Sequence, residues 1–476
     1  MNFKSVVASL GMLAVSSGLG HGSLSAKSEV AVSKQEAYEW LVAEEILERI
    51  QAPAFPDAVY DIREYGAKAG VKNDSSAAFA AAIEACNAAG GGKVLVPEGE
   101  FLTGPIHLLS NVNLHLEKGA VVKFSTDFSK YLPAVFTRWE GMECYNYSPL
   151  IYAFEQKNIA VTGEGTLDGQ ATLDNWLDWN VKSAPGGAKQ IPARDRLTQM
   201  VADGVPVEER VFGEGDFLRP NFLQPYRCEN VLIEGVKIIN SPMWEIHPVL
   251  CRNVIVRGVT VISHGSNNDG CNPESSKDVL IEDCHFDTGD DCIAIKSGRN
   301  NDGRRVNVPS ENIIIRNCKM VDGHGGVVIG SEISGGVRNV FVENCEMSSP
   351  NLDRALRIKT NSIRGGLIEN IFVRDVQVGV VKDSVIKVNF LYEEGDAGDF
   401  APVVRNIVVR RLVSRESKYA MFIKGYEHTP ITDLHLIDCQ FEGVQKPSVL
   451  LNVQGLLFDN VRMNTGEKTD LWGNPL

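Results

Sequence analysis

Eight segments of this chain repeat one pattern, and that pattern is what most limits its fold. They are "NVLIEGVKIINS" from Asn230, "NVIVRGVTVISH" from Asn253, "DVLIEDCHFDTG" from Asp278, "NIIIRNCKMVDG" from Asn312, "NVFVENCEMSSP" from Asn339, "NIFVRDVQVGVV" from Asn370, "NIVVRRLVSRES" from Asn406 and "DLHLIDCQFEGV" from Asp433. Successive starts are 23, 25, 34, 27, 31, 36 and 27 residues apart. Each unit begins with Asn or Asp, alternates apolar and variable positions, turns a corner and resumes with another apolar pair. Alternation marks a strand with a buried face. One such unit cannot bury that face alone, so the units must stack. Asn recurring at one corner can ladder its amides between coils. The unequal steps mean loops inserted at corners, and such loops wall a cleft. The pattern predicts an all-β, right-handed parallel β-helix over residues 57–476. Leucine-rich repeats would need regular Leu and a helical turn per unit. A barrel would not explain the homologous corners.

Ahead of the repeats lie two helical patterns. "SKQEAYEWLVAEEILERI" opens with a capping box at Ser33 and Glu36 and carries Trp40, Leu41, Ile46, Leu47 and Ile50 near one face, until Pro53 and Pro56 stop it. It predicts an amphipathic helix and linker over 27–56. "NDSSAAFAAAIEACNAAGGG" predicts a second helix, capped by Asp74 or Ser75 and ended by Gly90 to Gly92, that covers the open apolar end of the coil stack. Beyond it helical periodicity fades. Residues 1–26 read as a secretory signal: Lys4, then a short run of small apolar residues, then "SLSA". Export to the periplasm or medium follows, with no membrane span after signal removal. Export permits disulfides. Four of the ten cysteines (Cys284, Cys318, Cys345, Cys439) nevertheless share one repeat position, and Cys228 and Cys251 another, as stacked buried thiols would. The net charge of -14 excludes nucleic acid as a partner. Oligomeric state is not legible.

The chemistry gathers in a few coils. "TGDDCIAIKSG" places Asp290 and Asp291 at the mouth of an apolar strand, where paired carboxylates are costly without compensation. Asp269, in "NNDG" with Asn267, lies 21 residues before Asp290, about one coil. Equivalent positions on neighbouring coils are about 4.8 Å apart, so three carboxylates should crowd together and push at least one pKa upward. His324 in "GHG" follows Asp291 by 33 residues, and Arg357 in "RIKT" follows His324 by 33, with Lys359 on the same strand face. Lys296, Arg299, Arg304 and Arg305 extend the expected positive field, which would let an acidic protein hold an acidic substrate. Residues 169–222 interrupt the coil pattern and are long enough to close one end of a cleft. Trp176, Trp179 and Trp244 can stack on sugar faces or simply pack.

With these residues in view, the chain from about Tyr60 to beyond residue 440 resembles glycoside hydrolase family 28, the polygalacturonases. "NND" at 267–269, "GDD" at 289–291, "GHG" at 323–325 and "RIKT" at 357–360 match that family's motifs in order, with Asn268 where many members carry Thr. The resemblance implies an inverting hydrolase of α-1,4-galacturonosidic bonds in pectin, without a cofactor or metal. It implies Asp290 as general acid, Asp269 and Asp291 as activators of water, and His324 as support for the acid. Arg357 and Lys359 would bind a galacturonate carboxylate, with Asn267, Lys296 and Trp244 also near substrate. Inversion carries the expectation of an acid–base separation of about 6.5–9.5 Å. The insertion and the "SPMWEIHP" stretch look like those of bacterial exo-acting members, so release of galacturonic acid from chain ends is expected. Endo action, rhamnogalacturonan fragments as substrate, a Ca²⁺-dependent β-helix lyase and a non-catalytic sugar binder are the alternatives.

Overall fold

The computed structural model describes residues 21–181 and 188–465. The signal expected at 1–26 lies mostly outside the described residues. The chain divides into two compact units, 1–45 and 46–476. Helix α1 (His21–Arg49) starts before the expected capping box, so Ser33 and Glu36 fall inside the helix rather than at its start. Leu41 is exposed, whereas Ile46 and Ile50 are buried. Helix α2 (Ser76–Ala88) sits where expected and buries Phe79, Ala82, Ile83 and Cys86 in the main core, against the first strands. The Asp74 carboxylate accepts from the Ser76 backbone N–H at its start (2.9 Å), while the Ser75 side chain makes no capping bond.

The large unit is a parallel β-helix. One long sheet takes a strand from each coil, all parallel, from Val59–Asp61 through Glu229–Glu234, Arg252–Arg257, Lys277–Glu282, Ser310–Arg316 and Val337–Glu343 to Leu367–Arg374 and beyond. Its register aligns one buried apolar column: Val231, Val254, Val279, Ile313, Val340, Ile371, Ile407 and Leu434. The intervening column, Leu232, Ile255, Leu280, Ile314 and Phe341, is buried as well. The sheet is therefore apolar on both faces, as covered parallel sheets are, rather than half-exposed as alternation alone suggested.

The repeated Asn sits in the left-handed region at every turn: Asn230, Asn253, Asn312, Asn339, Asn370 and Asn406 have φ between 55° and 60°. Asn and Asp tolerate that conformation better than other non-glycine residues. Their amides bond coil to coil, Asn339 to Asn312 and Asn370 to Asn339 at 3.0 Å, Asn406 to Asn370 at 2.7 Å. Asp278 has no amide to donate. At that step Gln51 brackets Asn253 through its backbone N–H and carbonyl, and Arg49 donates to Asp278. A second left-handed corner, Asp283, Asn317, Asn344 and Asp438, precedes the repeated cysteines. All ten cysteines are buried free thiols.

Among the described residues α-helix reappears in two places where periodicity gave no sign of it: α3 (Gln190–Ala202) inside the 169–222 insertion, and α4 (Asn300–Val306) at a corner. An antiparallel hairpin, Val135–Trp139 with Met142–Asn146, also stands outside the coil pattern. No helix among the described residues is long and apolar enough to cross a membrane.

Candidate active site

The acids lie where the long sheet's regularity gives way to short pairings on another face of the coil. Cys271, Ile293, Val327, Leu356 and Ile386 stack in register there. Asp269 and Asp291 each stand two residues before their stacked residue, so they are true coil equivalents, 22 residues apart, and the Gly270 N–H donates to the Asp291 carbonyl. Asp290 is matched instead with His324, whose N–H donates to the Asp290 carbonyl at 3.1 Å. Asp290 and Asp291 occupy a turn between strands His285–Thr288 and Ile293–Ile295, where alternation no longer applies, and so both side chains reach one place. The turn needs Gly323, at φ +137°, because a Cβ there would fall 2.3 Å from the Asp290 carbonyl oxygen. One oxygen from each of Asp269, Asp290 and Asp291 falls within 4.8 Å of the others. That is shorter than the separation expected for inversion.

The three carboxylates differ in surroundings. Asp269 is buried, accepts from Asn272 at 2.8 Å and lies 3.6 Å from the Lys296 ammonium. Burial, then the nearby charge of Asp290, pushes it up to about 8. Asp291 is wholly buried and takes Arg357 (3.3 Å) on one oxygen and Lys359 (2.7 Å) on the other. Asp290 has the most open side chain, 18% exposed against 4% and 0% for Asp269 and Asp291. Burial pushes it up, but the His324 bond (3.0 Å) and Lys359 outweigh that and bring it down to about 2. His324 is raised in turn, chiefly by that bond. Asp269, raised chiefly by its burial, therefore favours its protonated form at neutral pH, whereas Asp290 favours its ionised form.

Several expectations need correction. By the Val327–Leu356 register the coil-mate of His324 is Asp353, while the Arg354 side chain donates to the His324 carbonyl (3.1 Å) and Arg357 pairs in register with Val328 and Lys387. Arg357 and Lys359 still converge on the site, through Asp291. Arg299, Arg304 and Arg305 lend it no free field. Arg299 pairs with Glu140, Arg305 with Asp302 and Glu143, and Arg304 stacks 3.6 Å over Phe400. Trp176 and Trp179 are buried among Phe128, Tyr131, Tyr147 and Phe217 and present no face to a sugar. Trp244 is 3% exposed and lies beneath the Lys296 ammonium, 4.5 Å from it. Asn267 spends its oxygen on Arg219 (2.8 Å) and Asn180 (3.2 Å), both from the insertion. Asn268 knits the turn by accepting from Ser263 and donating to the Ser241 and Met243 carbonyls.

Three neighbours carried no coil-spaced signal. Glu332 accepts from Lys296 at 3.0 Å. Burial acts to raise it, yet Lys296, Arg299 and Arg364 hold it well below the carboxylate range. Tyr392 packs its ring 5.5–5.7 Å from Lys359 and Arg357. Asn272 lies three residues past Asp269 and was legible only by proximity. The acid trio has the spacing to ligate a cation. However, Lys296, Lys359 and Arg357 already neutralise it, and both Asp291 oxygens are taken. A divalent ion would meet three fixed positive charges, so the donor set does not fit one.

A parallel β-helix with adjacent acids ringed by cations defines a class of proteins that act on acidic polysaccharides. The profile of glycosyl hydrolases family 28 matches residues 214–461. Over 90% of this chain and 96% of the other, the structure superposes on a hyperthermoactive exopolygalacturonase from Thermotoga maritima, with a TM-score of 0.87 and 49% identity. An exo-poly-alpha-D-galacturonosidase of Dickeya chrysanthemi is 27% identical over 72% of this chain and 59% of its own length. A Vitis vinifera protein named "Probable polygalacturonase" is 27% identical over 81% of this chain and 70% of its own length. This chain belongs to glycosyl hydrolases family 28.

Proposed function

We propose that the protein is exported and hydrolyses α-1,4-galacturonosidic bonds at the ends of homogalacturonan chains or oligomers, releasing galacturonic acid. The observation that carries this reading is the acid trio within 4.8 Å, drawn from two adjacent coils and faced by Arg357 and Lys359. The similarity to the Thermotoga maritima exopolygalacturonase supports the exo mode.

In this reading Asp290, the most open of the three, delivers the proton to the leaving oxygen. Carboxylates this close titrate as a unit. A bound sugar covers the open side of Asp290 and desolvates it, which raises its proton affinity and draws the shared proton from Asp269. Freed of its proton, Asp269 joins Asp291 in activating water. Carboxylate oxygens within 4.8 Å of each other are close enough for one water, about 2.8 Å from each, to bridge them, so the short spacing still admits the nucleophile. His324 keeps the open face of Asp290 oriented. Arg357, 12% exposed, and Lys359 offer a substrate carboxylate the donors that Asp291 does not saturate.

The test is a time course on polygalacturonate, followed by chromatography, viscosity and proton NMR in water. Monomer from the first minutes with little viscosity loss is expected, and the new reducing ends should appear as the β-anomer. Mixed oligomers with rapid thinning would refute exo action. A first-formed α-anomer would mean retention. Unsaturated products dependent on Ca²⁺ would mean a lyase.

A further inference from the structure

The hairpin at 135–146 turns on Glu140 and Gly141, with φ of 43° and 79°. Two successive positive values make the tightest hairpin turn, and a glutamate is an unusual residue for it. The tip is pressed onto the corner that follows Lys296. The Arg299 N–H donates to the Gly141 carbonyl at 2.9 Å, and a Cβ on Gly141 would lie 2.8 Å from that nitrogen and 3.0 Å from Glu332 Cγ. Glu140 is buried there, and one oxygen, Oε2, accepts from Arg299 Nη1 and from Arg194 Nε, each at 2.8 Å. Arg194 belongs to α3, within the insertion. Its hold on its proton is strengthened chiefly by Glu140, with Glu393 of the 391–400 loop and Glu332 adding to it. On the other side Glu332 binds Lys296, which faces Asp269. Alternating charge thus runs from the insertion to the catalytic acids through one carboxylate at the hairpin tip.

We infer that Glu140 is a specificity-determining latch: its bridge to Arg194 and Arg299 holds α3 against the acid site, closes that end and admits only a chain terminus. This rests on the exo reading above. None of the three residues touches the reacting atoms in this arrangement, and they act through the wall they hold. A latch of two charge-assisted bonds can be opened from the Arg194 side, where the side chain is 36% exposed, without emptying the core.

The experiment compares wild type, Arg194→Glu, Arg194→Ala and Arg194→Lys on polygalacturonate and on digalacturonate. The Glu variant places like charge against Glu140. Its early ratio of tri- to pentamers over monomer should rise about tenfold, the scale set by losing one charge-assisted contact, while digalacturonate turnover changes about twofold or less. Ala should show the same shift, smaller, and covers the case of a Glu variant that does not fold. Lys should restore monomer release, because Arg194 uses a single nitrogen here. Unchanged product ratios in both Glu and Ala variants would overturn the latch while leaving exo action standing. Equal losses on both substrates would also overturn it, showing a bridge that serves stability alone. Mixed oligomers from the wild type would remove the exo reading and the latch with it.

Discussion

The Asn corner and the acid corner lie on the same coils and use their repeats in opposite ways. At the Asn corner every turn presents the same conformation and nearly the same side chain, with φ of 55–60° from Asn230 to Asn406. At the acid corner the backbone still stacks in register, but the side chains change with each coil: Asn268, Asp290 and His324 in one column, Asp269, Asp291 and Gly325 in the next. A ladder of identical groups satisfies itself, so it stabilises. A column of unlike groups does not, and its leftover charge is available to a substrate. Repetition builds the scaffold here, and departures from repetition build the site.

The largest effect that would break this contrast comes from Asp290→Asn. It removes a proton donor from the most open position of the trio, and kcat should fall by about 10²–10⁴, the range of general acid catalysis. The melting temperature should stay close to wild type. A variant retaining a tenth of the activity would mean that the acid is elsewhere, with Asp269, whose carboxyl is pushed up to about 8, the first candidate.

Asp269→Asn should separate function from stability. Its carboxyl is pushed up to about 8, so the folded state binds a proton that the unfolded chain, near its ordinary value of 3.8, has released. Between those values the unfolded state holds fewer protons, and stability falls as pH rises. Below the ordinary value the raised pKa contributes in full, and above about 8 the cost is complete. Asn carries no such cost. The variant should lose at least about 100-fold in rate, yet melt a few degrees higher at pH 7, an advantage that vanishes near pH 4. Thermal melts at the two pH values decide it. A variant that melts lower at both would mean that Lys296 needs this carboxylate as much as it needs Glu332.

The same contrast explains what was legible beforehand. The coil stack, its Asn corner and the buried thiols could be read because they repeat, and repetition survives in sequence without any measure of distance. The motif residues were legible too, and Asp269, Asp290, Asp291, His324, Arg357 and Lys359 do converge. Their register was misread by a residue or more, with Asp269 matching Asp291 and Asp353 matching His324. Loops of unequal length hide which residue faces which. Glu332, Tyr392 and Glu140 reach the site or its wall from a corner, a loop and a hairpin that occur once each, so no period could flag them. The tryptophans misled for a related reason. An aromatic near an insertion fits a sugar platform and a packed wall equally well, and only neighbours such as Phe128 and Phe217 distinguish the two.

The smallest predicted effect tests the scaffold side. Asn339 lies midway along the ladder, bonded to Asn312 and Asn370 at 3.0 Å, with φ of 57°. Replacing it with Ala removes both amide bonds and forces a Cβ-bearing residue without a polar side chain into the left-handed region. Each lost bond costs about 1 kcal/mol and the conformation about 1–2 kcal/mol. A destabilisation of about 3–4 kcal/mol in denaturant melts is expected, with kcat and KM unchanged below the transition. Asn339→Gly divides that sum, because glycine accepts the conformation freely and loses only the bonds. If Gly melts like wild type while Ala does not, the corner selects Asn for its backbone and the ladder is incidental. If Gly and Ala fall together, the amides hold the coils, and the gap at Asp278, bridged by Arg49 and Gln51, becomes the weakest step of the stack.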